Sequence, residues 1–285
     1  MCLHGRVAIV TGGARGIGRA IADTLARHGA TVAICSRSRL QVESAAQEMV
    51  AADLSVAAYV ADVADAVEAQ ALVDRTVRDL GPPNILVNNA GVQGPIGPTE
   101  SLDVGAWIDT VRVNLVGTYL CSRSVIPHMR AHGGGKIINL AGGGATGPRP
   151  FFTAYAAAKS AVVRFTECLA EELRPDNIQV NAISPGAART ALTEQVLAAG
   201  AAAGEAARKE AMQVFQSGGV DLSKPAGLAL FLASSASDRL TGRLISAVWD
   251  NWEDWARDST LIDHLMAGEG GTLRRVRPDV RPGQP

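Results

Sequence analysis

The sequence predicts an α/β fold in which helices cover both faces of one doubly wound parallel sheet. Short apolar segments rich in β-branched residues recur along the chain, and each is followed by a turn and a longer segment of helical period. These strands are apolar at successive positions, which is typical of a parallel sheet that is buried on both faces. The regular alternation of strand and helix is the pattern of this layered class.

Six strands are clear from this pattern. They are residues 7–10, 31–35, 56–60, 85–87, 136–140 and 178–183. After the first strand, a helix is predicted from about Ile17 to His28 and is ended by Gly29, because glycine readily ends a helix. A second helix follows the second strand through Ala45 and Met49. No internal repeat of solenoid period interrupts this order.

One globular domain is expected to account for most of the chain. The 285 residues are 47% apolar and 19% charged, so residues 1–267 can bury the core of a single domain. Within it, the alanine-rich residues 191–219 predict one or two surface helices, with a substrate lid as their expected role. Residues 268–285 are rich in Gly, Arg and Pro and predict a disordered tail, with a basic arm to a neighbouring subunit as the alternative.

Residues 249–267 form a predicted C-terminal extension with a tryptophan pattern. Trp249, Trp252 and Trp255 recur every three residues after Val248. This spacing predicts a packed helical stripe, and a ligand or subunit contact is the alternative.

Charge and hydropathy argue against nucleic-acid and membrane partners. The formal net charge of −1 gives no global attraction to nucleic acid or anionic lipid. No apolar run is long enough to span a bilayer, and the first strand begins too near Met1 for a signal peptide to precede it. The expected location is therefore the cytoplasm.

The cysteines and histidines do not predict a metal site or a disulfide. The four cysteines occur singly, at Cys2, Cys35, Cys121 and Cys168. Without zinc-ligand or redox-pair spacing they are interpreted as reduced packing thiols. His128 and His132 have a metal-compatible helical spacing, but no carboxylate or cysteine joins them, which favours a solvated helix end.

A glycine-rich loop follows the first strand and opens the first helix. Its sequence is Thr11-Gly12-Gly13-Ala14-Arg15-Gly16-Ile17-Gly18. The glycines allow a tight turn and a close approach of backbone to a pyrophosphate, while the helix amino end presents N–H groups and a positive dipole end to it. Since the loop lies between a strand and an amphipathic helix, it predicts a dinucleotide site in a Rossmann-type fold.

The spacing of Gly12, Gly16 and Gly18 resembles the loop of the short-chain dehydrogenase/reductase family. Further family motifs follow in order between about residues 5 and 245. They are Asn88-Asn89-Ala90-Gly91, Asn114, Tyr155-Ala156-Ala157-Ala158-Lys159 and Pro185-Gly186. The resemblance implies hydride transfer between a nicotinamide cofactor and a small to medium carbonyl or alcohol substrate. It implies cofactor contacts at Gly12, Arg15, Gly16, Ile17, Gly18, Ser36, Arg37, Asp62, Val63, Asn89, Ala90, Gly91, Tyr155, Lys159, Pro185, Gly186 and Thr190.

The end of the second strand favours NADP(H) over NAD(H). An NAD-binding protein usually carries an acidic residue there for the ribose 2′-hydroxyl, and this chain has Ser36-Arg37. Arg37 can pair with a 2′-phosphate through its forked guanidinium, with Ser36 and Arg15 as further donors. The alternative is that both arginines are solvated surface residues. Asp62, with Val63, matches the family's adenine contact, and a helix amino cap is the alternative for Asp62.

Tyr155, Lys159 and Asn114 are the predicted catalytic residues. Hydride transfer to a carbonyl makes an alkoxide that needs a proton, and a tyrosine supplies it best if its pKa is lowered from about 10. Tyr155 and Lys159 share a helix face, so the lysine charge is expected to lower that pKa. The resemblance gives Lys159 a second contact with the nicotinamide ribose and gives Asn114 a water in a proton relay. An ordinary surface pair is the alternative for Tyr155 and Lys159.

The chain departs from the family pattern at Gly142. The family has a serine about thirteen residues before the tyrosine, where it donates to the substrate carbonyl. Loss of one such donor typically costs about a hundredfold in turnover. Thr146 or Thr153 can replace it, the substrate can bring its own hydroxyl, or the protein binds NADP(H) with little turnover. The N–H groups of Gly142-Gly143-Gly144 are also a candidate nest for an oxyanion.

Two functions and an assembly follow from these observations. The first is an NADP(H)-dependent oxidoreductase, and the alternative is a nucleotide-binding pseudoenzyme or regulatory subunit. A homodimer or homotetramer is expected, because residues 114–129 are apolar on more than one face and the sheet covers one face. The Tyr155 helix offers a second apolar surface. In such an assembly, the C-terminal extension can reach over the active site of a neighbouring subunit. Burial by helices of the same chain is the alternative.

Overall fold

A seven-stranded sheet organises the computed structural model, which describes residues 1–268 and residue 272. Its strands are β1 (Val7–Thr11), β2 (Thr31–Ser36), β3 (Val56–Val60), β4 (Ile85–Asn88), β5 (Gly135–Leu140), β6 (Ile178–Ser184) and β7 (Leu244–Ser246). They are hydrogen-bonded in the order β3-β2-β1-β4-β5-β6-β7, and every pairing is parallel. The predicted doubly wound sheet is confirmed.

The chain winds outward from β1 in both directions. β1 pairs with β2 on one side and with β4 on the other, so the strand order reverses at this point. A crevice opens outside the carboxyl ends of the strands at such a reversal, and ligands of open α/β sheets bind there. The fold therefore places the glycine loop after β1 and the residues after β4 at the same crevice.

Helices cover both faces of the sheet. They are α1 (Gly16–Arg27), α2 (Arg39–Ala51), α3 (Ala66–Leu80), α4 (Val104–Val111), α5 (Gly117–Ala131), α6 (Thr153–Leu173), α7 (Ala191–Ala198), α8 (Glu205–Ser217), α9 (Ser223–Ala233), α10 (Trp252–Trp255) and α11 (Thr260–Ala267). Ala8 and Val10 of β1 pack in a core with α1, α2 and α9, whereas Ile9 packs with α3, α5 and α6. Successive side chains of one strand are thus buried on opposite faces, which explains why the strand is apolar throughout.

The predicted strands and helices agree with the structure to within a few residues, with one strand missed. β7 is three residues long, and its pairing with β6 defines it. Residues 191–219 contain α7 and α8, joined through a short 3₁₀ turn, so the prediction of one or two helices is confirmed. No helix of residues 1–268 is long and apolar enough to cross a membrane.

The prediction of a packed tryptophan stripe on one helix is wrong. α10 is a single turn that contains Trp252 and Trp255, and Trp249 precedes it with 85% of its surface exposed. Trp252 is buried, packs against Phe231 at 6.3 Å between ring centroids, and donates from Nε1 to the Ala247 carbonyl at 3.3 Å. This part of the extension therefore covers its own subunit. Apart from Gly268 and Thr272, the tail predicted over 268–285 lies outside the described residues.

Candidate active site

The glycine loop lies tightly against the end of β4. Gly12 has a φ of +63°, and a Cβ on it would be 3.0 Å from the Cα of Ala90. A Cβ on Gly18 would collide with the Asn89 amide and the Gly12 carbonyl. Both positions require glycine for close packing, so the loop backbone stays open on its ligand-facing side.

Asn89 and Thr11 fasten this loop. The Asn89 side-chain amide donates to the carbonyls of Thr11 and Gly12 at 2.9 and 3.1 Å. The Thr11 hydroxyl accepts from the backbone N–H groups of Asn89 and Ala90, each at 3.0 Å. Asn89, which the sequence places among the cofactor contacts, thus has a defined structural role in the loop.

The first helix begins at Gly16 directly after the loop. Arg15 precedes it in an extended conformation and its side chain does not cap the helix. Gly16 has a φ of +57°, and a Cβ on it would be 3.7 Å from the Thr190 methyl group. The helix amino end therefore lies beside the connection between β6 and α7, with Ile17 and Thr190 in the wall of the same cavity.

The predicted 2′-phosphate residues lie at the end of β2. Arg37 is exposed and its Nη1 is 3.9 Å from a carboxylate oxygen of Asp62, an exposed pair that contributes little to stability. The Ser36 hydroxyl accepts from the Ser38 N–H at 3.2 Å, which leaves its proton free to be donated. The capping alternative for Asp62 is wrong, because Asp65 caps α3 and Asp62 accepts from the Ala64 N–H.

Val63 is buried in the core rather than open to a ligand through its side chain. A Cβ on Gly117 of α5 would be 2.8 Å from a methyl group of Val63. Its backbone is the part of Val63 that remains suited to the predicted adenine contact.

Tyr155 and Lys159 lie one turn apart on α6 and are both buried. The Lys159 ammonium donates to the Leu140 carbonyl at 2.7 Å and lies 5.8 Å from the centroid of the Tyr155 ring. Burial lowers the pKa of Lys159 to about 8, so it is still largely charged at pH 7. Burial raises the pKa of Tyr155, and the charge of Arg149 opposes that rise.

Lys159 is therefore not among the groups that shift the pKa of Tyr155, contrary to the expectation. The ammonium is directed to the end of β5 rather than to the phenol oxygen, and burial dominates. Tyr155 is a neutral phenol at pH 7, which is the form that can donate a proton.

Asn114 is fully buried in a π-helical turn, Arg112–Val116, between α4 and α5. Its amide donates to the carbonyls of Val92 and Thr110 at 2.8 and 2.9 Å, and its side-chain oxygen accepts from the Val92 N–H. A Cβ on Gly91 would be 2.6 Å from that oxygen and 3.6 Å from the Lys159 ammonium. The side-chain oxygen of Asn114 and the ammonium of Lys159 therefore both lie next to Gly91.

Gly142 lies directly beside the phenol of Tyr155. A Cβ on Gly142 would collide with the phenol oxygen and lie 3.2 Å from Cε1 and Cζ. A side chain at this position would require the tyrosine to move. Thr153 accepts from the Trp107 indole at 3.2 Å, and neither it nor Thr146 lines the cavity, so the structure gives no support to either as a substitute donor.

A cavity of about 430 Å³ opens over Tyr155 and Gly142. Of the predicted cofactor contacts, its wall contains Ile17, Tyr155, Pro185, Gly186 and Thr190. Residues of α7 and α8 form the opposite wall. Ser184 and Thr193 also line it.

Four further polar or aromatic residues line this cavity: Gln93, Arg149, Glu210 and Trp249. The sequence pattern did not predict a role for Gln93, Arg149 or Glu210. Gln93 follows the Asn-Asn-Ala-Gly motif by two residues and Arg149 precedes Tyr155 by six, but neither position has a motif of its own. The closeness of Gln93 and Arg149 to these motifs in the sequence was the signal that could have identified them.

No group of three metal-ligating side chains was found among the described residues. The four cysteines are free, and burial raises the pKa of Cys35 to about 11, as befits a thiol packed in the core.

Comparison with known proteins identifies the family. The model of the short chain dehydrogenase family matches residues 6–200. A curated relative, 2,3-dihydro-2,3-dihydroxybenzoate dehydrogenase of Bacillus subtilis, is 36% identical over 244 residues, which are 84% of this chain and 93% of the relative.

Two solved structures extend the comparison. Gluconate 5-dehydrogenase from Burkholderia cenocepacia, in complex with NADP and tartrate, is 31% identical with a TM-score of 0.77, over 86% of this chain and 94% of its own. NAD⁺-bound xylitol dehydrogenase is 30% identical with a TM-score of 0.79, over 86% of this chain and 98% of its own. The sheet, the glycine loop and these matches together show that the chain belongs to the short-chain dehydrogenase/reductase family and is related to its oxidoreductases.

Proposed function

We propose that the chain is an NADP(H)-dependent oxidoreductase that interconverts a carbonyl and an alcohol on a small to medium organic substrate. The convergence of Tyr155, Lys159 and Asn114 at the carboxyl end of the sheet, beside a 430 Å³ cavity, supports this most directly. A bound nicotinamide cofactor supplies or accepts the hydride at the substrate carbon.

The side chains of the site then handle the proton. In the reduction direction, Tyr155 donates its phenol proton from Oη to the oxygen that becomes the alcohol. The charge of Arg149, which lowers the pKa of Tyr155, stabilises the tyrosinate left behind. Asn114 and Lys159, which both lie next to Gly91, are the route proposed for returning a proton from water. In the oxidation direction the same groups act in reverse.

The residues of the glycine loop and of the β2, β3 and β4 ends are proposed to hold the cofactor. Gly12, Gly16, Ile17, Gly18 and the α1 amino end would contact the pyrophosphate, because N–H groups and the helix dipole meet there. Ala90, Gly91, Pro185, Gly186 and Thr190 would border the nicotinamide half, and Asp62 with Val63 the adenine. Residues 191–219 are proposed as the substrate lid.

We expect NADPH to bind at least about tenfold more tightly than NADH, because the exposed Arg37 guanidinium can form a charged forked pair with a 2′-phosphate. Arg37→Ala is expected to remove most of that difference while leaving NADH affinity within about twofold. Titration of both cofactors by isothermal calorimetry checks this, with Arg39→Ala as the control, since Arg39 pairs with Glu43 on α2. Equal dissociation constants in the unmodified protein would contradict it.

A panel of ketones and aldehydes with NADPH tests the activity. Turnover of any member supports the oxidoreductase. The alternative, a pseudoenzyme or regulatory subunit, is favoured by Gly142, which lacks the hydroxyl that the family pattern places beside the tyrosine. NADPH binding without turnover across the panel, in both directions, would favour that alternative. The related proteins are named for dihydroxybenzoates, gluconate and xylitol, so polyhydroxylated carbonyl compounds and acids belong in the panel.

A homodimer or homotetramer remains a proposal. On α5, Tyr119 is 46% exposed and meets Phe165 of α6 edge-on at 6.4 Å between centroids. These two aromatic side chains on adjacent helices suit a contact between subunits. Sedimentation at low micromolar concentration tests it, and a single species of 29.6 kDa would refute it. The cytoplasmic location also remains a prediction.

A further inference from the structure

The guanidinium of Arg149 is held beside the reacting groups by packing contacts and not by a charged partner. Its guanidinium lies over the buried ring of Phe152 at 4.3 Å from the ring centroid. Its Nη1 would be 2.8 Å from a Cβ on Gly143, so the missing side chain at this position leaves the room that the guanidinium occupies. An arginine stacked on a rigid aromatic ring is preorganised for a forked contact.

The Arg149 side chain forms no hydrogen bond or ion pair with any residue in the described part of the chain. Its charge nevertheless reaches the phenol of Tyr155, whose pKa it lowers. Both side chains line the same cavity. Glu210 of α8 is the acidic residue in the cavity wall, but it is exposed and does not pair with Arg149. The positive charge therefore faces the space where the substrate must lie.

Gln93 provides a second donor without a partner in the same cavity. It is 3% exposed, and its Nε2 is buried without a hydrogen-bond partner in the described residues. A buried polar group in a native protein is normally satisfied by a protein group, water or an ion, so this unpaired amide in a cavity wall is open to a ligand. Two independent donors, one charged, therefore line a cavity whose remaining wall includes Val196, Val214 and Val220.

We propose that the substrate carries a carboxylate and that Arg149 and Gln93 bind its oxygens while the neighbouring carbonyl or alcohol carbon lies at Tyr155. A carboxylate matches the forked geometry of arginine and can accept from an amide as well. The cavity of about 430 Å³, part of whose wall is proposed to border the cofactor, leaves room for a small hydroxy acid and its oxo acid as the pair of substrates. This inference rests on the proposed function for its chemistry, and it names the substrate class of that site.

Matched substrates and variants test the inference. We compare kcat/KM for a panel of small oxo acids with that for their amides, in the unmodified protein, Arg149→Met and Gln93→Leu. Arg149→Met is expected to lower kcat/KM for the acid about 10- to 100-fold, mainly through KM, because a charged hydrogen bond is lost. Because Arg149 also acts on the phenol of Tyr155, turnover of the amide can fall as well, but that effect is shared by both substrates, so the acid-to-amide ratio of kcat/KM should fall at least about tenfold. Arg189→Met is the control, since Arg189 also lies over a ring, that of Phe215 at 4.8 Å, but outside this cavity.

A binding experiment separates this inference from the activity. Trp249 lies in the cavity wall, so its fluorescence can report the binding of a hydroxy acid to the protein saturated with NADPH. Saturable binding of acids in preference to amides, weakened in Arg149→Met and retained in Arg189→Met, supports the carboxylate site even if no turnover is found. Turnover or binding that does not distinguish acids from amides, or that Arg149→Met leaves unchanged, would overturn it while leaving the oxidoreductase standing.

Discussion

Replacing Tyr155 with phenylalanine is expected to lower kcat for carbonyl reduction by about 10²- to 10⁴-fold, the range over which a positioned proton donor contributes. The phenol is buried, uncharged at pH 7 and faces the cavity, so no water molecule replaces its proton in the same position. The substitution removes one oxygen atom and leaves the ring in its packing. Steady-state kinetics with the best substrate of the panel check this.

Cofactor affinity separates loss of chemistry from loss of structure. NADPH should bind Tyr155→Phe within about threefold of the unmodified protein, because the pyrophosphate and 2′-phosphate contacts are proposed to lie elsewhere. Tyr119→Phe is the matched control, since its phenol is on the exposed side of α5 and away from the cavity. Activity of Tyr155→Phe within fivefold of the unmodified protein would remove Tyr155 from the proposed mechanism.

Six of the seven strands were predictable because their causes are local. Val7 to Val10 are apolar at every position, which requires burial on both faces, and the glycines after them require a close turn. β7 was missed because Leu244–Ser246 is too short to show a period, and its strand character comes from pairing with β6, sixty residues earlier in the chain. A pairing between segments so far apart in the sequence leaves no pattern within the strand itself.

The site was predictable in part for the same reason. Tyr155 and Lys159 are one helical turn apart, so their shared face follows from spacing alone. The direction of the lysine was not predictable, because the Leu140 carbonyl that binds it belongs to another strand. Gln93 and Arg149 were missed because their lack of partners depends on the surroundings in the folded chain.

The tryptophans show how equal spacing in a sequence can hide unequal roles. Trp252→Ala is expected to lower the free energy of unfolding by about 3–5 kcal/mol, the usual cost of removing a large buried aromatic side chain. Trp252 fills the space over Gly227 of α9, where a Cβ would lie 3.0 Å from its ring, and contacts Phe231. Trp249→Ala, three residues earlier and 85% exposed, should cost less than about 0.5 kcal/mol.

Urea unfolding followed by circular dichroism at one protein concentration measures both changes, with equal m-values as the condition for comparing them. Equal effects of the two substitutions would contradict the packing of Trp252 against α9.

The same packing changes how a deletion after Val248 must be interpreted. Such a deletion removes the buried side chains of Trp252 and Ile262, so we expect it to unfold part of the core around α9. Loss of activity or assembly after that deletion would therefore reflect instability, and Trp249→Ala is the variant that tests a role of the extension at the cavity.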